Sequence, residues 1–519
     1  MDPLRRAHSV KFGGHMTYPS LLWSGTLAES REREPAVPES TIRDLLAEDD
    51  IRARSIPFFR IPCRPEEIPA RQGLILRMLD DPIFAERIER LRTALIDTEQ
   101  LFGEIRRSET EEEKTLLFVP AMNRFFALAE ELADLDGDGG RAGEVGMFWR
   151  GWLGNVANEA YRKRCRDVLS RHESAFRLKI HGSSVTAFER KNDVRGELEK
   201  SVRDMGLEDA IPPVRPVQKA SLPIVNGFAG VYGDYARLAE SFRTDCEADY
   251  IGGQRDITEA FLYREELEFL LDVSAYFRKL REGGYPLCCP EVSERREFIL
   301  NGAVDPSLLR RNVPGTEAVP NDVRMTDFDG EREQFFILSG ANGGGKTTYL
   351  RTCSLAALFF SAGCPVAAKS GRCMPFDAVY THFPANENYE SNGRFMDEAA
   401  RAEEIMDAAG ENSFAVFNET YSGTDEKRSE EYSARLADRM WGQGTFGIYV
   451  THIHALTGGK IPTLAAVVDE GDDNRRTYKI RRVGETKSSF ARDILEKYGL
   501  DGDSLSLRIA EIKAKKGGA

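Results

Sequence analysis

The chain has eight cysteines in 519 residues. None forms a Cys-x-x-Cys pair, and only Cys288 and Cys289 are adjacent. That spacing implies neither a zinc site nor a disulfide framework, so reduced, inert thiols are expected. Long apolar runs are also missing. The longest small-and-apolar stretch, 354–368, is shorter than a membrane span and contains Gly363 and Pro365. Near the N-terminus only Leu21, Leu22 and Trp23 form an apolar patch, too short for a secretory leader. A cytoplasmic protein without a membrane partner is expected. Positive charge is not in surplus either: Lys+Arg number 71 against 85 Asp+Glu, for a formal net charge of −14. A nucleic-acid footprint would therefore have to be local.

What remains is a globular composition, 41% hydrophobic and 30% charged, with length for roughly two to four domains. Residues 1–40 are polar and irregular and read as an arm. Residues 41–146 read as a helical core domain, with Ile75, Leu76 and Leu79, then Ile88, Leu91, Leu95 and Ile96, at helical spacing and prolines between. Residues 147–285 open with one or two long charged helices over 147–210. They break at Ile211-Pro-Pro-Val-Arg-Pro, pass through a connector at 222–233 and turn helical again over 235–280. Within them Arg162, Lys163, Arg164, Arg166, Arg171, Arg177 and Lys179 crowd together. The ordinary meaning of such a stretch is a solvated helix face, and the functional one is a local DNA contact.

From 286 to 485 the pattern changes. Strand-like runs at 335–338, 378–383, 414–417 and 448–450 alternate with helical stretches at 347–362, 396–409 and 428–442. Alternation of that kind indicates a mainly parallel sheet flanked by helices, with ligands at the C-terminal ends of the strands. Residues 486–519 form a short tail with a helical stretch at 488–500. The fold class is multidomain, α plus α/β.

Residues 335–347 read Phe-Phe-Ile-Leu-Ser-Gly-Ala-Asn-Gly-Gly-Gly-Lys-Thr. An apolar strand thus feeds Gly-x-x-x-x-Gly-Lys-Thr, and Leu350, Leu355, Leu358 and Phe359 follow at helical spacing. In a phosphate loop of this kind the backbone N–H groups of Gly340, Ala341, Asn342, Gly343, Gly344 and Gly345 and the helix N-terminus face the β- and γ-phosphates. Lys346 neutralises their oxygens, Thr347 reaches Mg²⁺ and Thr348 adjoins it. The expected cofactors are ATP and Mg²⁺. A second strand, Phe414-Ala-Val-Phe, ends in Asn418 and Glu419. Phosphate-loop ATPases place there an acid that steers Mg²⁺ through water, then a carboxylate that polarises the attacking water. Asn418 takes the first place as an amide acceptor, and Glu419 is the candidate general base. A third strand ends Val450-Thr-His, and His452 can hold the water or sense the γ-phosphate.

These segments resemble the MutS family over about 290–485. Ser339-Gly-Ala-Asn-Gly-Gly-Gly-Lys-Thr-Thr-Tyr-Leu-Arg is similar to its nucleotide loop, Asn342 included, and Val319-Pro-Asn321-Asp-Val to its adenine-bordering segment. Phe376-Asp-Ala-Val-Tyr-Thr, Gly393-Arg-Phe-Met-Asp-Glu, Phe417-Asn-Glu-Thr-Tyr-Ser-Gly-Thr and Val450-Thr-His follow in family order. Pro62-Cys-Arg-Pro-Glu-Glu-Ile-Pro-Ala-Arg-Gln resembles the family's core domain. The resemblance implies a homodimeric ATPase with nucleotide sites completed across the interface. It also implies lever helices and a reduced clamp region in 147–285 that relay nucleotide state to DNA. Glu419 and His452 would be catalytic, Asn321 would border the base, and a loop with Ser391, Gly393 and Phe395 would reach the partner's nucleotide. Arg162, Lys163, Arg164 and Arg166 would touch DNA.

Three departures stand out. Asn418 replaces the usual acid and implies slow turnover, Gly393 replaces a serine, and Ala318 replaces an aromatic beside the base. No segment is expected for a mismatch-reading domain, with Phe102-Gly-Glu taken as core packing, and no nuclease segment is expected after the ATPase. The alternative is an ATP-gated dimeric scaffold that hydrolyses little and holds a protein rather than DNA.

Overall fold

The computed structural model describes residues 17–47, 51–174, 176–181, 184–189, 233–251, 257–308, 318–328, 330–340, 343–383, 391–421, 425–468 and 476–483. It comprises two compact units, one of Met1–Arg33 and Arg77–Leu271, the other of Glu34–Leu76 and Asp272–Ala519. This interleaved division differs from the linear partition at 40, 146, 285 and 485 expected from sequence, and burial explains why. Ile42, Leu45, Phe59, Ile68 and Ile75 are all buried, and their stretch docks onto residues near 360. The Cys63 N–H donates to Ser361 O at 2.7 Å, an Arg71 guanidinium N–H donates to Ala362 O at 2.9 Å, and Phe59 meets Phe359 edge-on at 5.8 Å.

The first unit is mostly helical. Pro82–Arg107 starts on Asp81, whose carboxylate accepts from the N–H groups of Ile83 and Phe84, with Pro82 in the first turn, where no N–H is needed. Glu111–Ala133, Gly140–Leu153, Val156–Ser174 and Gly233–Tyr250 follow. They close on an aromatic core in which Trp149 and Trp152 lie 5.4 Å apart and Phe125 meets both edge-on, at 5.9 and 5.7 Å. Phe102 is buried beside Phe261 at 5.7 Å, a packing residue.

Two expectations fail in this unit. The apolar patch of the arm is core: Tyr18, Leu21, Leu22, Trp23 and Leu27 are buried, and Tyr18 packs on Trp149 at 5.4 Å. Hydrophobic burial thus overrides the polar composition around it. The long charged helices expected over 147–210 end at Ser174. Strands β1 (Phe176–His181) and β2 (Ser184–Glu189) then pair antiparallel, Phe176 opposite Glu189. The alternation Phe-Arg-Leu-Lys-Ile-His has the period of a strand, and it decides the segment against its charge content. The polar stretch after 189, the connector at 222–232 and the tail at 486–519 lie outside the described residues.

The second unit holds two sheets. The six-stranded one has the order β13-β12-β7-β11-β10-β9. Its strands are β7 (Phe335–Ser339), β9 (Ala378–His382), β10 (Ser413–Asn418), β11 (Phe446–Val450), β12 (Thr463–Val468) and β13 (Arg476–Arg482). All pairings are parallel except β12 with β13. Every residue of β7, β9, β10 and β11 is buried, as a sheet covered on both faces requires. Four helices belong to this unit's account: α1 (Glu39–Leu46), α2 (Lys346–Ser361), α3 (Ser391–Ala408) and α4 (Glu426–Gly442). Helix α2 packs against β9, β10 and β11. Phe335, Ile337, Ala415, Phe417 and Tyr449 instead share a cluster with Ala402, Ile405 and Met406 of α3 and Leu436 and Met440 of α4.

A five-stranded sheet, mostly antiparallel, was not expected from sequence. It consists of β3 (Glu291–Val292), β8 (Ser370–Cys373), β4 (Glu297–Ala303), β5 (Asn321–Phe328) and β6 (Glu331–Glu333), in that order. Its short, charge-bearing strands lack a long apolar signature.

Strands β10 and β11 approach closely at Ala415 and Gly447, where a Cβ added to Gly447 would sit 1.8 Å from Ala415 O. The obstacle is backbone, so it cannot rotate away. Gly447→Ala is expected to destabilise the protein by about 2 kcal/mol or more, read as a lowered urea midpoint with unchanged slope. An unchanged midpoint would mean the two strands can separate without cost.

Candidate nucleotide site

Strand β7 delivers the chain to Gly340 at φ 131, where a Cβ would press on Ala466 of β12 at 3.2 Å. The loop closes at Gly345, left-handed at φ 90, which caps α2. Both positions demand glycine for conformational reasons, and together they aim the N-terminal N–H groups of α2 into the bend. Lys346, the first residue of α2, is buried, and its ammonium donates to Gly340 O at 2.7 Å. Burial lowers its pKa below the ordinary lysine value, while nearby Glu419 opposes the shift. Thr347 is exposed at the loop mouth. Ala341 and Asn342 lie outside the described residues.

On the other side of the loop, β10 ends at Asn418 in register with Val450 of β11. Glu419 follows in left-handed conformation, φ 53, its N–H donating to Val450 O at 2.9 Å. The N–H of Thr451 donates to Leu338 O of β7 at 3.1 Å. His452 is thereby set beside Glu419, and Nε2 lies 2.8 Å from Oε1. Both side chains remain partly open to solvent, 45% for His452 and 36% for Glu419. Asn418 Oδ1 is buried and has no hydrogen-bond partner among the described residues, a costly state for an amide oxygen unless a ligand or its water uses it. A buried amide oxygen and an exposed hydroxyl are both hard oxygen donors, the kind that Mg²⁺ and its bound waters accept.

Behind Glu419 lies a second layer that sequence reasoning did not identify. Thr420 is 3% exposed, and its Oγ1 is 3.0 Å from Nδ1 of His382, itself 1% exposed at the end of β9. His382 Nε2 is 3.0 Å from Glu398 O of α3. A carbonyl only accepts, so Nε2 carries the hydrogen, Nδ1 accepts, and Thr420 donates. Tyr449 OH donates to Thr420 O at 2.9 Å and shares a 2.6 Å bond with Ser433 Oγ. A histidine followed by a proline-containing stretch carries no local signal for such a role; it takes the sheet register to bring His382 and Thr420 together.

Residues 336–491 match the description MutS domain V. The DNA mismatch repair protein MutS of Lactobacillus delbrueckii subsp. bulgaricus is 27% identical over 228 residues, 42% of this chain and 26% of the relative. Its counterpart in Leptospira interrogans is 28% identical over 278 residues, 49% of this chain and 32% of that protein. The Endonuclease MutS2 of Thermomicrobium roseum is 30% identical over 227 residues, 42% of this chain and 27% of that protein. Residues 336–491 thus carry a MutS-type domain, and over that part the chain is similar to MutS and MutS2 proteins. The matched stretch spans about a quarter to a third of the length of these MutS relatives.

Other residues singled out by the MutS resemblance fall as follows. Asn321 opens β5, where its amide bridges main chains: Nδ2 donates to Tyr478 O at 3.0 Å and Val319 O at 3.2 Å, and Oδ1 accepts from the Ile480 N–H at 2.9 Å. Its polar atoms therefore hold β5 to β13. Ser391, Gly393 and Phe395, expected in a loop, are the opening residues of α3. In the first unit, Arg162 pairs with Glu130 at 2.8 Å and Arg164 with Asp245 at 2.6 Å. Of the four basic positions Lys163 and Arg166 are the exposed ones. Side chains of Arg171, Arg177 and Lys179 lie outside the described residues.

Burial also pushes the His382 pKa below the ordinary histidine value, with the Arg401 charge adding to the effect. The folded protein then keeps the imidazole neutral where the unfolded chain binds a proton, so stability is lost as pH falls below the unfolded value. In urea titrations between about pH 5 and pH 8, wild type is expected to show a steeper loss on the acidic side than His382→Gln. Parallel profiles would mean the imidazole is protonated in the fold.

Proposed function

We propose that the protein is a MutS-type, Mg²⁺-dependent ATPase that acts as a homodimer in a DNA transaction, with nucleotide state passed to the helical region that touches DNA. The observation that carries the reading is the pairing of Glu419 with His452 at adjoining strand ends, close enough to the phosphate-loop lysine for Glu419 to influence its proton affinity. The MutS domain V match and the DNA mismatch repair named in a relative's description support the DNA part.

In this reading the loop amides and the N-terminus of α2 hold the phosphates, and Lys346 exchanges its bond to Gly340 O for a phosphate oxygen. Mg²⁺ would be held by Thr347 and, through water, by Asn418, and would supply charge neutralisation on the β- and γ-phosphates. Glu419 takes the proton of the attacking water. His452 orients the Glu419 carboxylate and faces the γ-phosphate. Asn418 offers one negative charge fewer than an aspartate, so the cation is held more weakly and turnover is slow. The opening of α3, with Ser391, Gly393 and Phe395, is the segment that would reach the second copy's nucleotide. DNA contact from the basic helix would rest on Lys163 and Arg166, since Arg162 and Arg164 already face carboxylates.

Glu419→Gln is expected to bind ATP normally and to lose hydrolysis by about a hundredfold or more; equal turnover in steady-state assays removes Glu419 from its role. Asn418→Asp is expected to tighten Mg²⁺ dependence, seen as half-maximal activity at lower Mg²⁺. For DNA, replacing Lys163 and Arg166 with glutamine is expected to lower the slope of log affinity against log salt by about one per residue. An unaltered slope would place the DNA contact elsewhere.

A further inference from the structure

Glu419 belongs to a turn that its own backbone does not favour. Glu419 at φ 53 and Tyr421 at φ 69 are both left-handed without being glycine, and Thr420 between them is gripped from two sides. Its carbonyl accepts from Tyr449 OH, and its hydroxyl donates to His382 Nδ1. The other imidazole nitrogen, Nε2, donates to Glu398 O in the middle of α3. One ring therefore spans from the helix to the turn. The same helix is fastened to β9 a second time, because Arg401 donates to Thr381 O at 2.8 Å and pairs with Asp44 of α1, which also accepts from Thr381 Oγ1 at 2.7 Å.

We propose that His382 is a positioning residue for hydrolysis, tying helix α3 to the turn that carries Glu419. The inference rests on Glu419 being the group that activates water, and it adds the element whose placement controls that group. A displacement of α3 that carries Glu398 O along its axis turns the imidazole, releases or tightens the Thr420 hydroxyl and swings the Glu419 carboxylate, while the phosphate loop is untouched. Nucleotide binding is then insensitive to the link and hydrolysis depends on it, because a small misplacement of a catalytic group is costly where binding is not. The opening residues of α3 are those proposed to meet a second copy, so the link gives that encounter a route to the chemistry.

Two substitutions separate the halves of the link. An asparagine at 382 puts its amide oxygen near the Nδ1 position and can still accept from Thr420, but it reaches no carbonyl on α3. A glutamine places an N–H near the Nε2 position and can keep the helix bond, but it leaves the Thr420 hydroxyl without its acceptor. In the full-length chain, His382→Asn and His382→Gln are each expected to keep the wild-type Kd for ATP, lower kcat by about ten- to a hundredfold and speed amide exchange at Glu419. Thr420→Val should behave like them, and Thr420→Ser should recover most of the turnover.

Wild-type kcat in His382→Asn would show that the helix bond is not needed and overturn the proposal, as would unchanged exchange at Glu419 in both histidine variants. If wild type itself releases no phosphate from ATP while exchange at Glu419 still rises in the variants, the tie stands and the role given to Glu419 falls. Should both histidine variants fail to fold, the two Thr420 variants decide by the same measurements.

Discussion

The parallel pairing of β10 with β11, Asn418 opposite Val450, is the constraint on which the site depends. It brings the residues just beyond the two strand ends, Glu419 and His452, within hydrogen-bond distance, and it lets the Glu419 N–H close on Val450 O. Because side chains alternate along a strand, a slip of one residue would part Glu419 from His452 and bury a different set of side chains on each face. The close approach at Gly447 guards against that slip, since no residue with a Cβ fits against Ala415 O. Complete burial of β7, β9, β10 and β11 supplies the energetic penalty for any other alignment.

Strain is concentrated where chemistry is proposed. Left-handed Glu419 and Tyr421 cost on the order of 1–2 kcal/mol each, and a fold keeps such residues only where its surroundings fix them. Here the surroundings are buried hydrogen bonds from Tyr449, His382 and Val450, each reaching the turn from a neighbouring strand. The unpartnered Asn418 oxygen is a second departure from the rule that buried polar atoms are satisfied. Both irregularities sit at the C-terminal edge of the sheet, where doubly wound folds bind their ligands.

The strand, glycine turn and helix around Lys346 were legible in the sequence because their information is local: the apolar strand, the glycines and the helix opening lie within a dozen residues. The four strands and three helices of the α/β region were legible for the same reason. His382 and Thr420 were not, because neither has meaning until β9 and β10 are laid side by side. Asn321, expected to border the base, also has its amide joining β5 to β13, a use visible only after residues 157 positions apart are brought together. Charge content misled over 176–189, where a two-residue period makes a hairpin, and around Leu21 to Trp23, where polar flanks hid a buried segment.

The docking of the early stretch around Arg71 onto the region of Ala362 has a consequence for biosynthesis. The two partners are separated by 291 positions, and a ribosome adding about 5–20 residues per second needs roughly 15 to 60 seconds to supply the second after the first. Throughout that interval Phe59, buried in the fold, lacks Phe359, the ring it meets there. Newly made chains therefore carry that ring without its partner until α2 emerges, and truncation upstream of α2 removes the partner altogether.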